Sequence, residues 1–200
     1  MRGLTPAYRY EIDGRSVLVY DNVVSGAHQR ALYKTIVDAP FRRTRSDAAE
    51  SRDSKYWTAS IPSSALRGLL VLDEIKRRIV AGFPSSKLVL DRAYLNSTAF
   101  GDATSFHRDF PDPSAVTGLL YVNDYWEPAW GGETVFLNSR DDAVVCVTPR
   151  PGRAVLFSAE LAHRGMPPTR QCLEARIVLA FKFIPRGWRP PPRPRTRHVR

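Results

Sequence analysis

His107 and Asp109, two side chains able to hold a metal or carry a proton, stand one residue apart in Ser-Phe-His-Arg-Asp, and His163 follows far along the chain. On an extended chain residues i and i+2 point to one face, which would project His107 and Asp109 together and turn Arg108 away. A second imidazole, brought from another strand, would complete a facial triad. Two imidazoles and a carboxylate leave adjacent positions open on an octahedral ion, the arrangement suited to non-haem Fe(II) and oxygen chemistry. His-x-Asp by itself is common by chance, and His163 alone reads equally as a structural histidine. The other two histidines are weaker candidates, since His28 opens an expected surface helix and His198 lies in a Pro/Arg-rich end.

Arg176 is the next residue with chemical potential. Period-two alternation groups it with Val178 and Ala180, while Ile177, Leu179, Phe181 and Phe183 take the opposite face. Two small neighbours leave room before the guanidinium, whose planar fork matches a carboxylate with two parallel hydrogen bonds. The plain alternative is an arginine on an exposed strand face. Arg170, nearer to His163, competes for the same role.

These residues need elements to carry them. Tyr8 to Val24 reads as two short strands around Asp13-Gly14, and Ser25 as the N-cap of a helix over roughly 26–38. The polar run 42–55 is expected to be a surface loop. A second amphipathic helix should begin near Pro62 and Ser63-Ser64 and end at Gly82. From Lys87 onward, KLVLDRAYLN, SFHRD, AVTGLLYVN, ETVFL, AVVCV, RAVLF and ARIVLAFKFI are short β-rich runs punctuated by Gly, Pro and Asp. They indicate an all-β sandwich or barrel with the earlier helices outside it.

Taken as a set, YLNSTAFGDATSFHRD, VTGLLYVNDYWEPAWGGETVFL, PRPGRAVLFSAELAHRG and ARIVLAFKF resemble the 2-oxoglutarate- and Fe(II)-dependent oxygenases, in their prolyl-4-hydroxylase-like branch. The resemblance covers about 88–184. It implies a mainly β (α+β) fold, a double-stranded β-helix (jelly-roll, cupin-like) core at about 88–184, with N-terminal strands and helices (8–82) packed on the outside. By this likeness His107, Asp109 and His163 match the catalytic iron ligands. Arg176 matches the basic residue that binds the distal carboxylate of 2-oxoglutarate, Tyr121 a tyrosine that hydrogen-bonds that carboxylate, and Tyr94 another tyrosine near the cosubstrate. The implied cofactors are Fe(II), 2-oxoglutarate and O2, with ascorbate as a reductant. Halogenating relatives have Gly or Ala where this chain has Asp109. The chain departs from the family in one respect: thirteen positions separate His163 from Arg176, where nine or ten are usual, and GMPPTRQCLEA fills the interval.

The implied activity is hydroxylation of a C–H bond in a small molecule, such as an amino acid or natural-product intermediate, with release of succinate and CO2. A peptidyl-prolyl hydroxylase is the near alternative. A nucleic-acid demethylase and a catalytically silent binding module are further ones. Substrate contacts would come from loops 42–60, 97–105, 110–115 and 124–131, with Trp57, Trp126 and Trp130 as recognition aromatics or packing residues. The net charge of +10 suggests a polyanion partner, but six arginines lie in 185–200, leaving +10 − 6 = +4 on residues 1–184. The expected organisation is therefore one oxygenase domain over 1–184 and a Pro/Arg-rich tail, 185–200, through which any nucleic-acid contact would run. No apolar run is long enough to span a bilayer, no secretory leader is visible, and the two cysteines fit neither a disulfide framework nor a zinc motif. A cytoplasmic protein is expected.

Overall fold

A strand with small residues in the middle of one face can serve as a cavity wall, and the last strand of this chain, with Val178 and Ala180 between Arg176 and Lys182, is built that way. The computed structural model describes residues 4–45, 55–62, 70–84 and 87–188. In chain order the elements are β1 Tyr8–Ile12, β2 Arg15–Tyr20, α1 Gly26–Ile36, β3 Arg42–Arg45, β4 Lys55–Ser60, α2 Leu70–Gly82, β5 Leu88–Thr98, β6 Val116–Tyr121, β7 Thr134–Leu137, β8 Ala143–Val147, β9 Ala154–Ser158, β10 His163–Gly165 and β11 Arg176–Pro185. The chain is mainly β. An eight-stranded antiparallel sheet runs β1-β2-β9-β6-β11-β5-β4-β3, and a three-stranded sheet runs β10-β7-β8.

The alternation along β11 separates two cores. Ile177, Leu179, Phe181 and Phe183 join Ile36 of α1 and Val71, Leu72, Ile75 and Ile79 of α2 in one buried cluster. Val178 and Ala180 join Phe136, Val145 and Val147 of the smaller sheet in another, together with Val155 and Phe157. At about 25 cal/mol per Å2 of apolar surface removed from water, these two faces are the main stabilising contribution. Asp13 and Gly14 both have positive φ, 49° and 74°, as a two-residue hairpin turn requires. Ser25 caps α1, its side chain accepting from the His28 N–H at 3.3 Å.

Three local expectations change, and one lies beyond test. The polar segment 42–55 is not all loop, because Arg42–Arg45 pairs with Lys55–Ser60 and extends the sheet as its edge. An edge strand needs no continuous apolar face, so charge hides it from pattern reading. The expected start of the second helix, at Ser63-Ser64, lies outside the described residues. Ser105–Asp109 is not a regular strand: it makes a single bridge, His107 to His163. Lastly, β11 runs through Pro185, and Trp188 stands edge-on to Phe110 with ring centroids 5.3 Å apart, so the chain keeps to the fold past the expected tail boundary. Residues 189–200 lie outside the described residues. Among the described residues, no helix is long and apolar enough to cross a membrane.

Candidate metal and cosubstrate site

Backbone pairing brings the two histidines together. His107 N donates to His163 O and His163 N to His107 O, both at 3.0 Å, while Asp109 N donates to Ala159 O at 2.9 Å. The ligand-type atoms of His107, Asp109 and His163 all lie within 4.8 Å of one another. His107 Nε2 is 3.7 Å from Asp109 Oδ1, and His163 Nε2 is 3.5 Å from Asp109 Oδ2.

The tautomers follow from the hydrogen bonds. His107 Nδ1 faces the carbonyl of Ser105 at 3.0 Å, and His163 Nδ1 faces the carbonyl of Leu161 at 2.9 Å. A carbonyl only accepts, so each Nδ1 donates and each neutral ring presents the Nε2 lone pair to the common centre. Burial, with the nearby cations and despite the attraction of Asp109, pushes the His163 pKa down to about 3, which keeps the ring neutral. Two imidazole nitrogens and a carboxylate around one point fit a divalent ion such as Fe(II).

Lys182 is a cavity residue that the sequence reading did not single out. Its side chain is buried, its Nζ contacts Asp109 Oδ2 and also lies 3.3 Å from Thr117 Oγ1. Thr117 Oγ1 donates to Asp109 Oδ2 at 2.6 Å. Burial alone would raise the Asp109 carboxyl and lower the Lys182 ammonium. The mutual attraction, with both histidines adding to it at Asp109, holds the carboxyl below its ordinary range and the ammonium above its own. The signal for Lys182 was present: the alternation that groups Arg176, Val178 and Ala180 continues to it.

Arg176 starts the same face of β11 and is equally buried. Its Nε donates to Gly132 O at 2.5 Å and its Nη2 to Thr134 Oγ1 at 3.0 Å. Burial draws the guanidinium below its ordinary pKa, opposed by Tyr121 and Glu133. Two glycines make room for it. A Cβ on Gly165 would sit 3.0 Å from Nη1, and one on Gly132, whose φ is 76°, would sit 3.1 Å from the arginine Cδ. The long interval after His163 is tied down, with Thr169 N donating to Trp130 O and Met166 N to Glu133 O. Arg170 stays exposed in that interval.

A cavity of about 280 Å3 joins these groups, and Arg176, Lys182, Tyr94 and the three clustered ligands all line it. Tyr121 does not. Its hydroxyl lies 2.8 Å from Thr134 Oγ1 and donates to Val147 O at 3.1 Å, so of this pair it is Thr134 that lines the cavity. Arg108, expected to point away, lines the cavity as well, because a segment held by one bridge need not alternate like a strand. From the four expected substrate loops, 42–60 contributes Tyr56 and 97–105 contributes Thr98, Thr104 and Ser105, while 110–115 and 124–131 contribute nothing to the cavity wall. None of Trp57, Trp126 and Trp130 lines it. Trp126 packs against Trp130 and donates to Gly131 O at 3.0 Å, whereas Trp57 lies under Arg43.

Comparison with known sequences and folds bears on the same residues. The sequence profile of the 2OG-Fe(II) oxygenase superfamily matches residues 93–183. Those residues belong to that superfamily. The matched region, which holds His107, Asp109 and His163, is that of a 2-oxoglutarate-dependent dioxygenase, with Fe(II), 2-oxoglutarate and O2 as its cofactors. No curated protein matches the chain. Among solved structures, the oxygenase resembles the Trichoplax adhaerens prolyl hydroxylase in complex with a hypoxia inducible factor peptide (TM-score 0.64, 16% identity, 85% of this chain and 84% of that one). It also resembles the Pseudomonas putida prolyl-4-hydroxylase (0.62, 19%, 84% and 91%). A third is the epimerase SnoN from nogalamycin biosynthesis, in complex with Fe3+, alpha ketoglutarate and nogalamycin RO (0.59, 16%, 84% and 78%). At these identities the likeness concerns the fold alone.

Proposed function

We propose that this oxygenase hydroxylates a C–H bond of a small molecule, converting substrate, 2-oxoglutarate and O2 to alcohol, succinate and CO2. The observation that carries the reading is the shared cavity: His107, Asp109, His163 and Arg176 all line one cleft that opens to solvent. The bound iron supplies the oxygen-activating chemistry. His107, Asp109 and His163 would hold it, through the two Nε2 atoms and one carboxylate oxygen. Lys182 and Thr117 would engage the other lone pairs of that carboxylate. Arg176, steadied by Gly132 O and Thr134 Oγ1, would bind the distal carboxylate of 2-oxoglutarate, with Tyr94 along the same wall. Tyr121 would act from behind, by orienting Thr134.

A cavity of about 280 Å3, at the small end of ligand pockets, supports a small substrate over an extended peptide. The prolyl-hydroxylase reading is kept alive by the fold likeness to enzymes described as prolyl hydroxylases. The same proposal treats the two sheets as the halves of a double-stranded β-helix and residues 1–184 as one domain. Its support is that β1 and β2 join β11 in a single sheet. The test is succinate release with Fe(II) and 2-oxoglutarate over a panel of metabolites and proline peptides, with mass spectrometry for one added oxygen. Turnover on metabolites is expected. Turnover confined to peptides would replace this reading with the prolyl one, and failure to bind Fe(II) would end both.

A further inference from the structure

We propose that the substrate carries an oxyanion, a carboxylate or a phosphate, and that Arg92 and Arg108 receive it. This deepens the proposed function and rests on it. Four cations, Arg92, Arg108, Arg176 and Lys182, line the cavity against one acid, Asp109. Lys182 is paired with Asp109, and Arg176 is committed to Gly132, Thr134 and the cosubstrate. Arg92 and Arg108 remain. Among the described residues no carboxylate pairs with Arg108. The one carboxylate Arg92 meets among the described residues is its exposed neighbour Asp91, at 3.3 Å, a surface contact that is readily exchanged, and its guanidinium also lies over the Phe110 ring, 5.4 Å from the centroid.

Loading does not cancel this excess. A divalent iron and a dianionic cosubstrate neutralise each other, so Arg108 still faces the cavity with no counter-charge among the described residues and Arg92 with only the exposed Asp91. Nor can one cosubstrate serve both poles. Arg92 is the cross-strand partner of Lys182, six residues along β11 from Arg176, which is about 20 Å of strand. A five-carbon diacid does not span that. Both arginines stand at the exposed side of the cleft, and a cleft lined by cations focuses their field and favours an anionic entrant over a neutral one of the same shape. The guanidinium fork then fixes the oxyanion through paired hydrogen bonds, which positions the carbon that reacts.

The test is calorimetric. The full-length protein is loaded with Mn(II) and N-oxalylglycine, an unreactive analogue of 2-oxoglutarate, and titrated with hexanoate, hexyl phosphate and the neutral hexanamide. One or both anions should bind at least about tenfold more tightly than the amide. Whichever anion binds better identifies the oxyanion. Arg92→Gln and Arg108→Gln should each remove most of that preference while Mn(II) and N-oxalylglycine affinities stay within about twofold of wild type. Equal affinity for anions and amide, no binding of either anion, or a preference indifferent to both substitutions would overturn the inference. So would binding of short single-stranded DNA through these arginines with both small anions ignored. Loss of Mn(II) or N-oxalylglycine binding in the wild type, visible before any probe is added, would instead overturn the oxygenase site and this inference with it.

Discussion

At the scale of single residues, Lys182 sets the terms for the metal site. It supplies Asp109 with a counter-charge inside the protein. Removing one partner of a buried pair leaves the other uncompensated. Lys182→Met is therefore expected to lower stability in EDTA by about 3–5 kcal/mol. Mn(II) should raise the melting temperature of the variant more than that of wild type, because the metal becomes the main counter-charge. Equal melting temperatures in EDTA would show the pair to be energetically silent. At the other end of β11, Arg176→Ala removes a charged fork from the cavity. It should weaken 2-oxoglutarate binding by about 2–4 kcal/mol, with Arg176→Lys between. Thr134→Val, which removes the hydroxyl of a cavity-lining residue, should cost about 0.5–1.5 kcal/mol, and Tyr121→Phe no more than that. The absorption band of the Fe(II)–cosubstrate complex reports all four. A Tyr121→Phe loss greater than that of Thr134→Val would mean that the tyrosine touches the cosubstrate directly.

Elements explain which of these residues were legible beforehand. His107 and Asp109 were readable from their i, i+2 spacing, although what orients them is one bridge to His163 rather than a strand. Arg176 was readable because β11 alternates cleanly between two cores. Lys182 obeys the same period, yet a lysine between two phenylalanines reads as the solvent-facing side of a strand until its partner Asp109 is placed in space. The β3–β4 edge was hidden by its charge, and the inward Arg108 by the irregular backbone around it. The turn into β7 matters as much as the strands. Gly132→Ala would place a Cβ 2.9 Å from Trp126 and 3.1 Å from Arg176, at a backbone φ of 76°. The expected result is destabilisation of about 1–3 kcal/mol together with weaker 2-oxoglutarate binding. Normal stability with normal cosubstrate affinity would show that the turn yields freely.

For the whole molecule, charge and architecture part company. Five of the arginines lie in 189–200, so deleting that segment halves the net charge, from +10 to +5. The deletion is expected to leave the melting temperature within about 1 °C, while any binding to DNA or RNA, and its salt dependence, should fall. Trp188 differs because it packs on Phe110 beside Ala115 and Ala159. Extending the deletion through Trp188, or making Trp188→Ala, should cost about 1–2 kcal/mol in a urea melt. An unstable 1–188 protein would mean that the tail carries structural contacts of its own.

The pairing of β5 with β11 has a geometric corollary. On the cavity face the partners are Thr98 with Arg176, Asn96 with Val178, Tyr94 with Ala180 and Arg92 with Lys182, and the register slips immediately beyond Lys182. These four pairs form the rungs of a ruler, spaced about 7 Å apart, with a cation at each end and a β-bulge as its stop. A substitution on the ruler changes the available length in steps rather than gradually. A bulky residue at Ala180 would close one interval and leave the rungs on either side of it in place, so a descendant of this chain could be regraded for a shorter substrate without rebuilding either end.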